Sequence, residues 1–342
     1  MYALQDLLEN ACPSIRYRIR SEILGESIKT PEMKDLQAEI LADDWVQKIF
    51  SWQQSDGWIG SDFHGENSME TGIRVLCEKG VEKSHPVFSK ALAILHHDDE
   101  RLVRGIGKAG KILDDRNLGG TQMIRATVLA HTGVEDIPFV QEQIQNALAG
   151  FQTLVLIHSL IDICTTYKGK LVYIPEIVWP SIYHLRLLAY THTWRTKENY
   201  KMLVDGIQRL VQLSPLPAIL VRNKSQLIAP ASFCMLDFNP DIHDLDDAGW
   251  MMWFHRLELL ARLGVTDHVP ELQEQIDRLK LLLTENQGRC ELNINHYYFR
   301  KWTSYSGLML EKDWKSPNRR VYDLTFRCLL IFHYHLKNFG FS

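Results

Sequence analysis

Residues 244–247 read Asp-Leu-Asp-Asp. Three carboxylates within four residues cannot all ionise cheaply, so one member of such a set tends to keep a proton and can act as a general acid. Trp250, Trp253 and Phe254 follow directly. Rings at that spacing would exclude water from the acids, and their π faces can stabilise a developing cation. The same aspartates stand just before a helical pattern, where free amides and the helix dipole favour an ionised carboxylate. Acid and helix cap are therefore both open for Asp244, Asp246 and Asp247. Further aromatic candidates for lining an apolar pocket are Trp179 and Tyr183, on a helix expected over 178–191. His296 and Trp302 could stand at a cavity mouth.

Other clusters have chemical residue types without chemical spacing. Asp62, His64, Glu66 and Glu70 are metal-ligand types, but no spacing sets three of them on one helical face. His96-His97 and His333 with His335 fall near helix C-termini, where a partial negative charge suits them. No glycine-rich phosphate loop, nucleophile elbow or Cys-His pair stands out. Neither a metal nor a cofactor is expected.

The elements that must position these residues are repeated helical hairpins. Three segments share one grammar: a helix, then Gly80-Val81, Gly133-Val134 or Gly264-Val265, then a short polar turn and Pro86, Pro138 or Pro270. The glycine supplies the left-handed residue that stops a helix, and the proline opens the next one, where its missing N–H costs nothing. Ser84, Asp136 and Asp267 are positioned to cap it. In the third copy the first helix is apolar nearly all round at its start, and the second carries one stripe of Leu272, Ile276, Leu279 and Leu283. Buried inner helices alternating with one-face-wet outer helices predict an all-α fold, an α/α toroid of about six hairpins. Extra helices over 1–42 would pack on the ring formed by 43–342. Further helices are expected over 14–26, 31–42, 43–54, 102–114, 139–164, 197–213 and 320–337. Residues 171–174 are the one short run of β character, and 214–247 and 286–318 read as long connections.

Composition sets broad limits. The chain has 342 residues, 45% of them hydrophobic, with mean hydropathy −0.18, a net charge of −4 and a pI near 6.4. That is ample material for a core, and it offers no electrostatic reason to expect nucleic acid or an anionic membrane as partner. Six scattered cysteines with no apolar leader predict reduced thiols in the cytoplasm. No apolar run reaches the ~18 residues of a membrane span.

The segment Trp52-Gln53-Gln54-Ser55-Asp56-Gly57-Trp58-Ile59-Gly60 resembles the glutamine–tryptophan signature of terpenoid cyclases and protein prenyltransferases, with its tryptophan one place early. The resemblance is clearest over 43–95 and 241–290. It implies an α/α toroid, and it makes Asp-Leu-Asp-Asp similar to the acid motif of the protonation-initiated (class II) cyclases. Carried over by position, Asp246 would donate the proton to an isoprenoid, with Asp244 and Asp247 in support. The family motif usually continues with threonine, where this chain has Ala248-Gly249. The thiol-activating zinc of the prenyltransferase branch would need Asp, Cys and His ligands that this chain does not place there. Pro13 to Arg20 resembles a HEAT-repeat helix. The alternative is thus a non-catalytic helical-repeat protein that binds a protein partner or an apolar ligand.

Overall fold

A computed structural model describes residues 2–337; Met1 and Asn338 to Ser342, the ends of the expected 1–42 and 43–342 segments, lie outside the described residues. The described residues are mostly helical, with two small two-stranded antiparallel sheets among them. All six cysteines are free thiols. Among the described residues no helix is long and apolar enough to cross a membrane.

The three hairpin stops obey one physical rule. Gly80, Gly133 and Gly264 have φ of 82°, 89° and 79°. In each copy the glycine N–H donates three residues back, to Cys77 O (3.1 Å), Ala130 O (2.9 Å) and Ala261 O (2.9 Å). The following valine N–H donates five back, to Leu76 O (3.0 Å), Leu129 O (3.1 Å) and Leu260 O (3.3 Å). These paired bonds satisfy helix carbonyls that would otherwise face nothing, the Schellman arrangement. Val81 and Val265 are buried against the turns they close. The second helices, Pro86–Leu95, Pro138–Leu154 and Pro270–Glu285, each begin on the proline.

The expected caps are displaced, Ser84 and Asp136 by one place and Asp267 by two, since the helix of the third copy begins on Pro270 and follows Val269. With proline as the first helical residue, the N-cap is the residue directly before it, so Ser84 and Asp136 precede the cap position. His85 caps the first copy through Nδ1, which accepts from Val87 N (3.3 Å), and Ile137 leaves the second without a side-chain cap.

The chain divides into two compact units. The first holds residues 2–105, 246–254 and 274–336, the second 106–245, 255–273 and Lys337. The helix Asp247–Leu263 contributes its first half to one and its second half to the other. In the first unit, helices Pro13–Arg18, Pro31–Leu41, Asp44–Trp52, Met69–Lys79 and Pro317–Leu336 bury charge as well as apolar surface. Glu78 Oε2 accepts from Arg18 Nη1 (2.8 Å) and lies 2.9 Å from Arg327 Nη1, all three side chains being buried. Lys79 is fully buried and donates to Asp43 Oδ2 (2.9 Å) and Leu310 O (2.6 Å).

The second unit is built on helices Thr121–His131, Pro138–Leu154, Ile182–Ala189 and Lys197–Leu213. Arg195 donates to the carbonyls of Arg262 (2.8 Å) and Leu263 (3.4 Å), closing the C-terminal end of the third hairpin's first helix with a cation. Its sheets are β1 (Cys164–Tyr167) with β2 (Lys170–Tyr173), and β3 (Val221–Asn223) with β4 (Gln226–Ile228). A parallel bridge at Val172 and Leu220 joins them. The helix expected over 139–164 ends at Leu154, and that over 102–114 shrinks to Lys108–Asp114.

Candidate functional site

The sequence candidates fall into separate groups. Asp246 is the N-cap of the helix Asp247–Leu263: its carbonyl accepts from Trp250 N (2.9 Å) and its Oδ1 from Gly249 N (2.7 Å). That is the first intrahelical bond plus a side-chain bond to the third helical amide, the geometry of a cap. Asp244 and Asp246 are exposed, and Asp247 is half-buried with Oδ2 accepting from Asn295 N (2.8 Å). An acid that protonates an alkene must be sheltered from water; an exposed cap is not.

Trp250, Trp253 and Phe254 do come together, but on one another. Their ring centroids are 5.2–5.8 Å apart, two of the three pairs edge-to-face. All three are buried, and Trp253 Nε1 donates to Gln275 Oε1 (2.8 Å). These are interlocked core rings of the first unit. In the same unit Trp302 is buried with the Arg74 guanidinium 4.9 Å from its ring centre. His296, half-buried, caps the short helix Tyr297–Arg300 through Nδ1 and Tyr298 N (3.2 Å). His64 and Glu70, read from sequence as metal-ligand types, bond each other at 2.8 Å, and Ser304 Oγ donates to the same carboxylate (2.7 Å). Glu66 pairs with Lys301. Among the described residues no group of three or more His, Cys, Asp or Glu side chains could hold a metal ion.

Trp179 and Tyr183 belong to the second unit, where the sequence signals were weakest and the geometry is most suggestive. Tyr183 is fully buried. Trp179 lines a recess with Tyr173, its ring centroid 6.0 Å away. Thirteen residues form the walls: Leu118, the Trp179-Pro180-Ser181 entry to the helix Ile182–Ala189, Tyr173 from β2, and two runs of the connection 214–247 around Leu216 and Met235. None of the thirteen is acidic or basic. The recess leaves a cavity of about 20 Å³ for the centre of a water, room for one solvent molecule. Burial pushes the Tyr173 phenol well above its ordinary value.

One wall carries a constellation that no sequence spacing revealed. Ser181 Oγ lies 2.8 Å from His184 Nδ1, and His184 Nε2 lies 3.1 Å from Asn117 Oδ1. Asn117 is itself fixed by donating through Nδ2 to Asn146 O (2.7 Å). The network assigns the proton to Nε2, which donates to Asn117, and leaves Nδ1 to accept. Nucleophile, base and orienter are in hydrogen-bond reach, as covalent catalysis requires.

Two physical facts argue for a structural role instead. Ser181 Oγ already accepts from Tyr183 N (3.2 Å), and His184 Nδ1 accepts from Ser181 N (3.0 Å), a reciprocal capping box with histidine in place of the usual glutamate. Complete burial pushes the His184 imidazole down to about 3, and a neutral asparagine supplies no charge to support an imidazolium. A base that resists its proton this strongly activates a hydroxyl poorly. The box fixes the Trp179-Pro180-Ser181 wall. Gly119 approaches it so closely, at φ of 83°, that a Cβ there would lie 2.0 Å from Ser181 Oγ.

Compared with known proteins, the chain matches no family model, no curated protein and no solved structure.

Proposed function

We propose that the chain is a non-catalytic protein of helical hairpins that binds a small apolar group, of prenyl size and shape, in the recess beside Trp179. The observation that carries this reading is the wall itself: two aromatic rings, aliphatic and proline side chains, and two serines, with no charged group to protonate or hydrolyse a ligand. Apolar pockets with a few polar groups are the usual form of small-molecule sites. At rest the recess admits about one water, so a ligand enters by displacing the proline-rich segment 214–236. That segment is tied to its surroundings by few backbone bonds, among them Ile182 N to Ala231 O (3.0 Å), Leu220 N to Leu171 O (3.0 Å) and Tyr173 N to Leu220 O (2.9 Å).

The toroid arrangement belongs to the same proposal. It is supported by three identical Gly-Val stops and by the glutamine turn, in which Gln53 Nε2 donates to Gly57 O (3.2 Å) and to Val87 O (2.9 Å) at the start of the helix Pro86–Leu95. Isoprenoid cyclisation by Asp246 draws its support from the Asp-Leu-Asp-Asp pattern alone, and the exposure of that residue weighs against it. Saturation-transfer NMR with prenol tests the binding reading, with Ser232→Leu filling the recess from a half-buried position. Saturable transfer to prenol from the unaltered protein, lost in Ser232→Leu, is the expected result. Equal transfer from both proteins would overturn it.

A further inference from the structure

The net charge of −4 conceals a local excess of the opposite sign. Residues 163–175 and 214–236 contain four basic side chains, Lys168, Lys170, Arg222 and Lys224, and no carboxylate. The fold gathers them. Lys168 lies in the turn of the β1–β2 hairpin and Lys170 directly after it, and Lys224 lies in the turn of β3–β4 with Arg222 two residues before. The Arg222 guanidinium lies 3.9 Å from the centre of the Tyr167 ring and the Lys168 ammonium 5.4 Å from the same centre. Arg222 Nε also donates to Lys224 O (3.0 Å) within its own turn, which fixes the guanidinium that lies over Tyr167. All four basic side chains are exposed, and among the described residues none of them is paired with an acid.

One apolar side chain stands exposed among these cations: Leu227, opposite Arg222 in the ladder, is 37% exposed.

We propose that this face docks on an anionic lipid bilayer, the cations meeting headgroup phosphates and Leu227 entering the interface. Cations alone would suit any polyanion. Leu227, exposed among them, favours a bilayer, because a nucleic-acid backbone offers no apolar region to bury it. The proposal is independent of the Trp179 recess.

Each cation near an anionic surface strengthens partitioning by about fivefold. Co-sedimentation of the whole chain with vesicles of phosphatidylcholine alone, and of phosphatidylcholine with phosphatidylserine, is the test. Binding to the anionic vesicles only, falling as salt is raised, is expected. The combined Lys168→Gln, Lys170→Gln, Arg222→Gln and Lys224→Gln variant, whose helical circular dichroism should be unchanged, is expected to lose more than ~100-fold in partitioning. Leu227→Ser should weaken binding at every salt concentration. Equal binding to neutral and anionic vesicles would overturn the proposal. So would unchanged binding by the glutamine variant, or binding to single-stranded DNA with no binding to either vesicle.

Discussion

Replacing Asp246 separates a helix cap from an acid catalyst, because asparagine can do the first task and not the second. Asp246 Oδ1 satisfies the amide of Gly249 at 2.7 Å. Asparagine offers the same oxygen at the same reach, and it ranks with aspartate at this position; only the interaction of the charge with the helix dipole is lost. Asp246→Asn should therefore cost within about 0.5 kcal/mol. Asp246→Ala removes the acceptor and should cost about 1–2 kcal/mol, or about 2–8 °C in melting temperature for a unit of this size. Urea unfolding followed by tryptophan fluorescence, with calorimetry in parallel, measures both. An alanine variant as stable as the parent would refute the capping assignment, and so would an asparagine variant as damaged as the alanine one. The same pair bears on catalysis: no cyclised product is expected from a linear polyprenyl substrate with either the parent or Asp246→Asn. Product from the parent that vanishes in the asparagine variant would make Asp246 the acid after all.

Further expectations concern the buried charges and the capping box. Burial, and then the neighbouring charge of Asp323, raise Glu311 from 4.5 to about 7, while burial raises Asp323 to about 6. A raised folded-state value means stability that is complete below the ordinary value and lost as pH climbs through about 7; at about 1.4 kcal/mol per pH unit, Glu311 accounts for at most ~3 kcal/mol. Glu311→Gln, which mimics the protonated acid, should thus raise the melting temperature at pH 8 and leave it little changed at pH 5; parallel melting curves across that range would contradict this. Ser181→Ala should lose about 1 kcal/mol with its cap, and a fluorophosphonate should leave Ser181 of the parent unlabelled, whereas labelling would establish an activated hydroxyl. Glu78→Ala leaves Arg18 and Arg327 without the carboxylate they share and should cost about 3–5 kcal/mol in urea unfolding; a loss below ~1 kcal/mol would show that the charges are hydrated.

Local signals were readable and long-range ones were not. Gly80-Val81, Gly133-Val134 and Gly264-Val265 announced their helix ends because the stop depends on a left-handed φ that glycine adopts freely. The helix after Pro138 ends at Leu154 with no glycine, proline or asparagine to mark it, so apolar periodicity ran the expectation on to 164. Short strands such as β3 and β4 hide in a proline-rich connection, since three residues hold too few alternations to be seen. Among the residues lining the recess, Trp179 was legible as a large aromatic, but the helix expected over 178–191 runs only from Ile182 to Ala189, because Pro180 and the Ser181 cap start it later. The Ser181–His184–Asn117 network was not, because Asn117 lies 67 residues from His184 and the capping box uses histidine instead of glutamate or glutamine. The Asp-Leu-Asp-Asp cluster shows the converse: its spacing was conspicuous, and only exposure and the bond to Gly249 weigh the cap against the acid.

The most direct test of binding at Trp179 is fluorine NMR of the chain labelled with 5-fluorotryptophan. Nine tryptophans give nine signals at most, and Trp179→Phe identifies the one that matters. Titration with prenol should move the Trp179 signal along a saturable curve and leave those of Trp250, Trp253 and Trp302 in place. A Trp179 signal that stays still while one of those three moves would contradict the proposed site and return attention to the aspartates at the head of the helix Asp247–Leu263.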